Sequence, residues 1–158
     1  MKIEIRSLLS SWVKDQSLYG KCIIICSECL LNNDNVFEKI SHMGDIILKA
    51  CPEKEENTYF GKIATIIKCS KPRKIIVVTR DGSPHCRVLH NALLQAMFLT
   101  GSNVEHENYV VLDENLVRIS RETITLSRYL SVIEEILGKI NVKEFLRRSS
   151  IEYSSFSK

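Results

Sequence analysis

The cysteines of this chain are placed where they could do chemistry together. The chain has six, and four follow predicted strands: Cys26 and Cys29 after GKCIII, Cys51 after GDIILKA, and Cys86 after RKIIVVTRDGSPH. If these strands are parallel, the loops that follow them lie along the carboxyl edge of one sheet, where α/β proteins bind ligands. Four thiolates gathered at that edge could hold an iron–sulfur cluster or a zinc ion. We therefore predict a metal site formed by Cys26, Cys29, Cys51 and Cys86.

The spacing of the cysteines leaves other interpretations open. Zinc is less favoured than a cluster, because structural zinc sites usually contain two close cysteine pairs and only one, Cys26 and Cys29, is present. This pair follows a strand, as redox-active pairs do in thioredoxin-like proteins, but it lacks their internal proline and has Glu28 between its members. The cysteines could also be packing residues with no site at all. Cys22, inside a predicted buried strand, and Cys69, at the end of a helix, are interpreted in that way.

The segment DGSPHC at residues 81–86 suggests a second kind of site. Gly82 permits a tight turn after the strand, and the amide groups at the start of the following helix are free donors. Glycine, serine and a helix start together could bind a phosphate group. As the alternative, we therefore predict a nucleotide or phosphate-metabolite site in which Gly82, Ser83 and His85 are binding residues. His85 could also act as a ligand beside Cys86, and no residue is assigned a catalytic role.

Short apolar runs and amphipathic segments alternate along the chain. The runs at 21–26, 45–50 and 74–79 are typical of strands buried on both faces. Periodicity and capping predict helices at 3–13, 36–42, 58–69, 84–100 and 123–137, and a last turn at 142–148. Residues 109–112 and 116–119 predict a hairpin at the sheet edge. This alternation predicts an α/β fold, a three-layer α/β/α sandwich with a mostly parallel sheet and an edge hairpin.

Length and composition are those of an ordinary globular protein. The chain has 158 residues, of which 44% are hydrophobic and 26% charged, and its net charge is +3. We expect a single α/β domain over residues 1–150 and a frayed tail at 151–158. The mild charge, with no basic stripe between aromatic residues, argues against binding to nucleic acid. The abundance of Ile, Lys and Glu suits a thermophile.

No segment of the sequence has the character of a membrane span or a signal peptide. The longest apolar runs, such as CIIIC, are about five residues long, against the roughly 20 that a membrane helix needs. The first residues, MKIEIRSLLSSWVKDQ, include acids and periodic polar residues instead of a continuous apolar core. We therefore predict a cytoplasmic protein with no membrane association. In that compartment, six cysteines point to metal or redox chemistry more than to structural disulfides.

The run CIIICSECLL resembles the start of a known family: a strand, two cysteines separated by two residues, and then two leucines. It is similar to the small, cluster-carrying subunit of nickel–iron hydrogenases and to the related cluster subunit of respiratory complex I, over residues 20–90. The resemblance implies a flavodoxin-like domain that holds a four-iron cluster by cysteines from loops after successive strands. Cys26 and Cys29 match the opening pair, and Cys51 and Cys86 match the two later single cysteines. The chain also resembles, more loosely, small ferredoxin-like iron–sulfur proteins of anaerobes.

These observations predict a small iron–sulfur protein, with a four-iron cluster, in intracellular electron transfer. A redox protein partner is implied, because an electron carrier has no substrate chemistry of its own. Exposed parts of the helical faces at Leu93, Met97 and residues 126–137 could support a homodimer. The alternatives are a nucleotide- or phosphate-metabolite-binding α/β domain that uses the loop at 81–86, and a zinc-stabilised binding domain.

Overall fold

The chain forms a six-stranded sheet that is parallel except at one edge. The structure is a computed structural model and describes residues 3–56 and 58–141. The strands are β1 (Glu4–Ser7), β2 (Cys22–Ser27), β3 (Ile46–Ala50), β4 (Lys74–Arg80), β5 (Glu105–Leu112) and β6 (Asn115–Ile119). Their spatial order is β1-β3-β2-β4-β5-β6, and only the β5–β6 pair is antiparallel. The predicted mostly parallel sheet with an edge hairpin is confirmed.

Helices α1 (Asp34–Ser41), α2 (Tyr59–Ser70) and α3 (Val88–Thr100) cover the two faces of this sheet. The chain also forms α4 (Arg121–Leu126), α5 (Leu130–Leu137) and short 3-10 turns at Gln16–Leu18 and Glu28–Asn32. One hydrophobic cluster contains buried side chains of α2 and α3 together with one sheet face. A second cluster joins α1 to the opposite face. The predicted three-layer α/β/α sandwich is therefore confirmed.

Strand β2 shows why the central strands are apolar at every position. Ile23 and Ile25 pack in the cluster beneath α2 and α3, while Cys22, Ile24 and Cys26 pack in the cluster beneath α1. Because successive side chains of a strand point to opposite faces and both faces are covered, no position of β2 is left for a solvated side chain. The strand is consequently buried along its whole length.

The beginning of the chain differs from the prediction. The helix expected at 3–13 is absent, and strand β1 lies there instead, pairing in parallel with β3 from Glu4 opposite Ile46 to Ser7 opposite Lys49. The segment KIEIRS fits an alternating pattern as well as a helical one. Pairing with the free edge of β3 supplies backbone hydrogen bonds that favour the strand over the helix for this segment.

The predicted helix at 123–137 is divided into α4 and α5. The break falls at Tyr129, whose backbone has φ −113° and ψ 82°. The Arg128 and Tyr129 amides donate to the carbonyls of Thr125 and Leu126, three residues back, so the end of α4 tightens into a turn that an α-helix cannot continue. The predicted turn at 142–148 and the tail at 151–158 lie outside the described residues.

The chain divides into two compact units, residues 1–121 and 122–158. The first unit contains the whole sheet with α1, α2 and α3, and every site described below lies within it. Helix α5 belongs to the second unit. None of the helices in the described part of the chain has the length and apolar character that a bilayer crossing requires.

Candidate functional site

A cavity of about 450 Å³ opens at the carboxyl edge of the sheet. The loops that follow β2, β3 and β4 all contribute to its lining. The residues that matter for its chemistry are Ser27, Cys29, Cys51, Arg80, Ser83 and Cys86. The sequence predicted that these three loops would meet at one edge, and the structure shows a cavity between them.

The cavity lies where the chain reverses its direction across the sheet. Strand β2 stands between β3 and β4, so the chain runs from β2 to its neighbour on one side and then crosses to the other. The connection after β2 forms α1 on one face, and the connection after β4 forms α3 on the other. The two loops therefore part at the carboxyl ends of β2 and β4 and leave a crevice. Open α/β sheets bind their ligands in crevices of this kind.

Three of the four predicted metal ligands line this cavity, and the fourth does not. Cys29, Cys51 and Cys86 belong to the lining. Cys26 is fully buried in the cluster beneath α1, where its thiol donates to the Ser27 carbonyl at 3.4 Å. In the part of the chain that the structure describes, no group of three His, Cys, Asp or Glu side chains could hold a metal ion. The proposed four-cysteine site stays a prediction.

Two of these thiols, those of buried Cys26 and exposed Cys29, have a raised pKa. Desolvation is the main cause that raises the pKa of Cys26, and the neighbouring Cys29 and Cys86 sulfurs add to it. Desolvation, followed by the charge of Cys86, also raises the pKa of Cys29, which Arg80 lowers by a smaller amount. At neutral pH these groups are uncharged, polarisable thiols, and they do not repel an anion.

The floor of the cavity contains a buried hydroxyl without a partner. Ser27 is the last residue of β2, lies beside Ala50 of β3, and is 1% exposed. Among the described residues its Oγ has no hydrogen-bond partner. An unsatisfied buried polar group of this kind costs on the order of 1–3 kcal/mol. Ser27 is not among the predicted site residues, although it is the one hydroxyl in the run CIIICS and stands at the strand end.

The loop at 81–86 differs in detail from the prediction. Helix α3 begins at Val88 and not at Pro84. The Ser83 hydroxyl accepts the Cys86 amide at 3.3 Å, and the Val88 amide donates to His85, so the residues before the helix form turns of their own. Ser83 lines the cavity, and its binding role stays a prediction.

The other two predicted binding residues of this loop are exposed. Gly82 has φ +72°, the left-handed conformation expected of a glycine in a tight turn, and His85 is also exposed. The binding roles of Gly82 and His85 stay predictions. Of the three predicted binding residues in this loop, only Ser83 lines the cavity.

A carboxylate holds the loop after β3 in place. The Glu55 Oε2 atom accepts the Cys51 backbone amide at 2.9 Å and the Tyr59 hydroxyl at 2.7 Å. Burial, followed by this hydrogen bond, raises the pKa of Tyr59, so the phenol stays a donor. Cys51 therefore stands on a loop fixed to the first turn of α2.

The charged side chains that line the cavity balance one another: Glu28 and Glu53 are acidic, and Lys54 and Arg80 are basic. Glu28 forms an ion pair with Lys49, and this contact lowers the pKa of the carboxyl group. Glu53, Lys54 and Arg80 complete the charged lining. Within residues 3–56 and 58–141, Arg80 forms no ion pair, and its side chain is exposed at the mouth. Its guanidinium is available to an anionic ligand.

A buried polar network fixes the end of β4 to α3. His90 Nε2 lies 2.8 Å from the Thr79 hydroxyl, and His90 Nδ1 lies 2.9 Å from Asn108 Oδ1. Burial lowers the pKa of His90, so the ring is neutral: Nδ1–H donates to Asn108, and the Thr79 hydroxyl donates to Nε2. The network positions the strand that carries Arg80.

Comparison with known proteins places the chain in a family. Residues 16–150 match the Rossmann-like domain family. The chain belongs to this family. Neither the curated proteins nor the solved structures give a match. Membership agrees with the sheet order and with the position of the crevice, and the family's description specifies a fold without a ligand.

Proposed function

We propose that this Rossmann-like domain binds a small ligand that carries a phosphate group, a nucleotide or a phosphate metabolite, in the cavity at the carboxyl edge. The single observation that carries the proposal is the buried Ser27 hydroxyl, which lines this cavity without a protein partner among the described residues. A phosphate oxygen placed there would accept its proton and remove the cost of leaving it unpaired. The location at the reversal of strand order supports the same conclusion.

The rest of the lining suits an anion of this kind. Arg80 provides a guanidinium at the mouth, and Ser83 provides a second hydroxyl from the loop after β4. Guanidinium groups bind phosphate through paired hydrogen bonds. The neutral thiol of Cys29 adds contact area without opposing charge.

The serines of the first unit provide a matched test. Ser27→Ala removes the unpartnered hydroxyl, so it should leave the stability of the free protein unchanged or raise it, and it should weaken phosphate binding about tenfold. Ser70 is also 1% exposed, but its hydroxyl donates to the Val13 carbonyl at 2.6 Å. Ser70→Ala should therefore lower stability by about 1–2 kcal/mol and leave affinity unchanged. Chemical denaturation measures stability, and titration calorimetry with inorganic phosphate and nucleoside monophosphates measures affinity.

Two results would overturn this proposal. One is that the wild-type protein binds neither inorganic phosphate nor any of the nucleotides. The other is that Ser27→Ala destabilises the free protein as much as Ser70→Ala while its affinity stays unchanged. In that case the Ser27 hydroxyl would have a structural role.

A second candidate function is the binding of an iron–sulfur cluster, with zinc as the alternative metal. The observation that favours it is that the Cys29, Cys51 and Cys86 thiols, from three different loops, line one cavity. Soft metals prefer thiolate ligands, and metal binding would displace the proton that desolvation keeps on the Cys29 thiol. Because no three of these side chains could hold a metal ion as they are placed in the described residues, the three loops would have to draw together, and Cys26 would have to turn out of the core to become the fourth ligand. With a cluster bound, the domain would transfer electrons to a redox protein partner.

Metal analysis of protein purified without oxygen tests the cluster. Cys86→Ser removes one thiol of the cavity, whereas Cys69→Ser removes a partly buried thiol on α2 that is outside the cavity lining. We expect stoichiometric iron and sulfide in the wild type and in Cys69→Ser, and a loss of most of both in Cys86→Ser. Colourless wild-type protein without iron would contradict the cluster, and stoichiometric zinc in that protein would support the alternative metal.

A further inference from the structure

A second cavity, of about 370 Å³, adjoins the first along the carboxyl edge. Cys29 and Arg80 line both cavities, so the two meet at these side chains. The second cavity extends from there towards the β5–β6 hairpin, past the start of α1. A single ligand could therefore occupy both, with Arg80 at the junction.

The lining of the second cavity differs in character from that of the first. Its inner part is apolar and comes from Leu30, Val36 and Val111, each less than 10% exposed. Its rim contains carboxylates, among them Asp81 and Asp113. An apolar surface suits the face of a flat ring, and carboxylates accept hydrogen bonds from hydroxyl or amino groups. Carboxylates repel phosphate, so the second cavity is unsuited to the anionic end of a ligand.

The wall formed by the hairpin is held in place by side-chain hydrogen bonds. The Glu114 carboxylate accepts the Asn33 amide at 2.7 Å and the Asn35 amide at 3.2 Å, and Lys39 Nζ donates to the Glu114 carbonyl at 2.8 Å. These contacts fasten the hairpin tip to the first turns of α1. The cavity is therefore formed before a ligand binds, as small-molecule sites usually are.

We infer that the ligand is a nucleoside phosphate whose phosphate occupies the first cavity and whose nucleoside occupies the second. This inference rests on the proposed function and narrows its ligand class. The phosphate contacts Ser27 and Arg80. The base lies on the apolar surface that includes Val111, and Asp81 accepts hydrogen bonds from the sugar or the base. A phosphate metabolite without a ring would leave the second cavity unused.

Two tryptophan substitutions on the hairpin test this arrangement. Leu112 lines the second cavity and is 37% exposed, so a larger side chain there would fill the cavity from its solvent side. Val117 of β6 is 42% exposed and lies outside the lining of both cavities. Calorimetry with the four common nucleoside monophosphates, ribose 5-phosphate and inorganic phosphate would measure affinity for wild type, Leu112→Trp and Val117→Trp.

We expect at least one nucleotide to bind the wild type ten times more tightly than ribose 5-phosphate or inorganic phosphate. Leu112→Trp should lose at least tenfold in affinity for that nucleotide and keep its affinity for inorganic phosphate, and Val117→Trp should keep both. Asp81→Asn provides an independent test. It should weaken the binding of the nucleotide and leave the binding of inorganic phosphate unchanged. Asp34→Asn on α1 is its control and should change neither affinity.

The outcomes separate this inference from the proposed function. If inorganic phosphate and every nucleotide bind the wild type equally, the phosphate site stands and the nucleoside site is wrong. The nucleoside site would also be wrong if Leu112→Trp lost as much affinity for inorganic phosphate as for the nucleotide. It would be wrong, too, if neither Leu112→Trp nor Asp81→Asn lost affinity for the nucleotide. If no compound binds the wild type, the proposed function itself fails.

Discussion

At the scale of single residues, Ser27 and His90 are buried polar groups in different surroundings. Thr79, His90 and Asn108 are nearly inaccessible, and two hydrogen bonds link their side chains. Ser27 is equally buried and has no such partner within the described chain. Networks of the first kind hold a core together, and an unpaired hydroxyl beside a cavity requires another explanation. For that reason we assign Ser27 to ligand binding and His90 to structure.

The neutral state of His90 has a consequence for stability at low pH. Its pKa is lowered in the folded protein, while an unfolded chain has the ordinary value of about 6.5. Below that value the unfolded state binds the proton more readily, so this group's contribution to stability falls as pH falls through about 6.5. Between pH 7.5 and 5.5 stability should fall by at most about 1.4 kcal/mol, the limit for a histidine that takes up no proton in the folded state.

Urea denaturation at these two pH values measures this effect. His90→Gln should lower stability at both values but reduce the difference between them. His42→Gln, which changes an exposed histidine after α1, should leave the difference as in the wild type. Equal pH dependence in His90→Gln and the wild type would show that His90 is not the titrating group.

At the scale of secondary-structure elements, a close approach of backbone segments fixes the start of β3 against β2. A Cβ atom on Gly44 would lie 2.9 Å from both the Cys22 carbonyl oxygen and Ile24 Cγ1. Next to it, the Asp45 carboxylate accepts the Cys22 amide at 2.7 Å, which lowers the pKa of Asp45. These contacts hold together the two strands whose far ends carry Ser27 and Cys51.

Two glycine substitutions compare this close approach with open space. Gly44→Ala should lower the free energy of unfolding by about 1–3 kcal/mol, since the added methyl group meets the backbone of β2. Gly61, in α2, has no atom within 4 Å of an added Cβ, so Gly61→Ala should raise stability by about 0.5–1 kcal/mol through helix propensity. Denaturant titration gives both values. A neutral Gly44→Ala would mean that β2 and β3 can separate at this point without cost.

At the scale of the whole molecule, the sequence predicted the architecture better than the orientation of individual side chains. Continuous isoleucine and valine runs predicted the central parallel strands, because only a sheet covered on both faces requires them. The loops after these strands were predicted to meet, and they do. Neighbouring side chains of one strand end were harder to assign: Cys26 points into the core beneath α1, and Ser27, the next residue, lines the cavity. A shift of one residue exchanges the two faces of a strand, and no local pattern fixed that choice at the strand end.

The outermost strand β1 also affects how copies of this molecule can meet. It is only four residues long, and Arg6 forms ion pairs with Glu4 of the same strand and with Asp15. A strand from another copy would have to pair with this short, charged edge strand. Short and charged edge strands are one means by which proteins prevent edge-to-edge aggregation. Growth of the sheet from this side into a fibre or a shared intermolecular sheet is therefore disfavoured. A homodimer of this protein would have to use another surface.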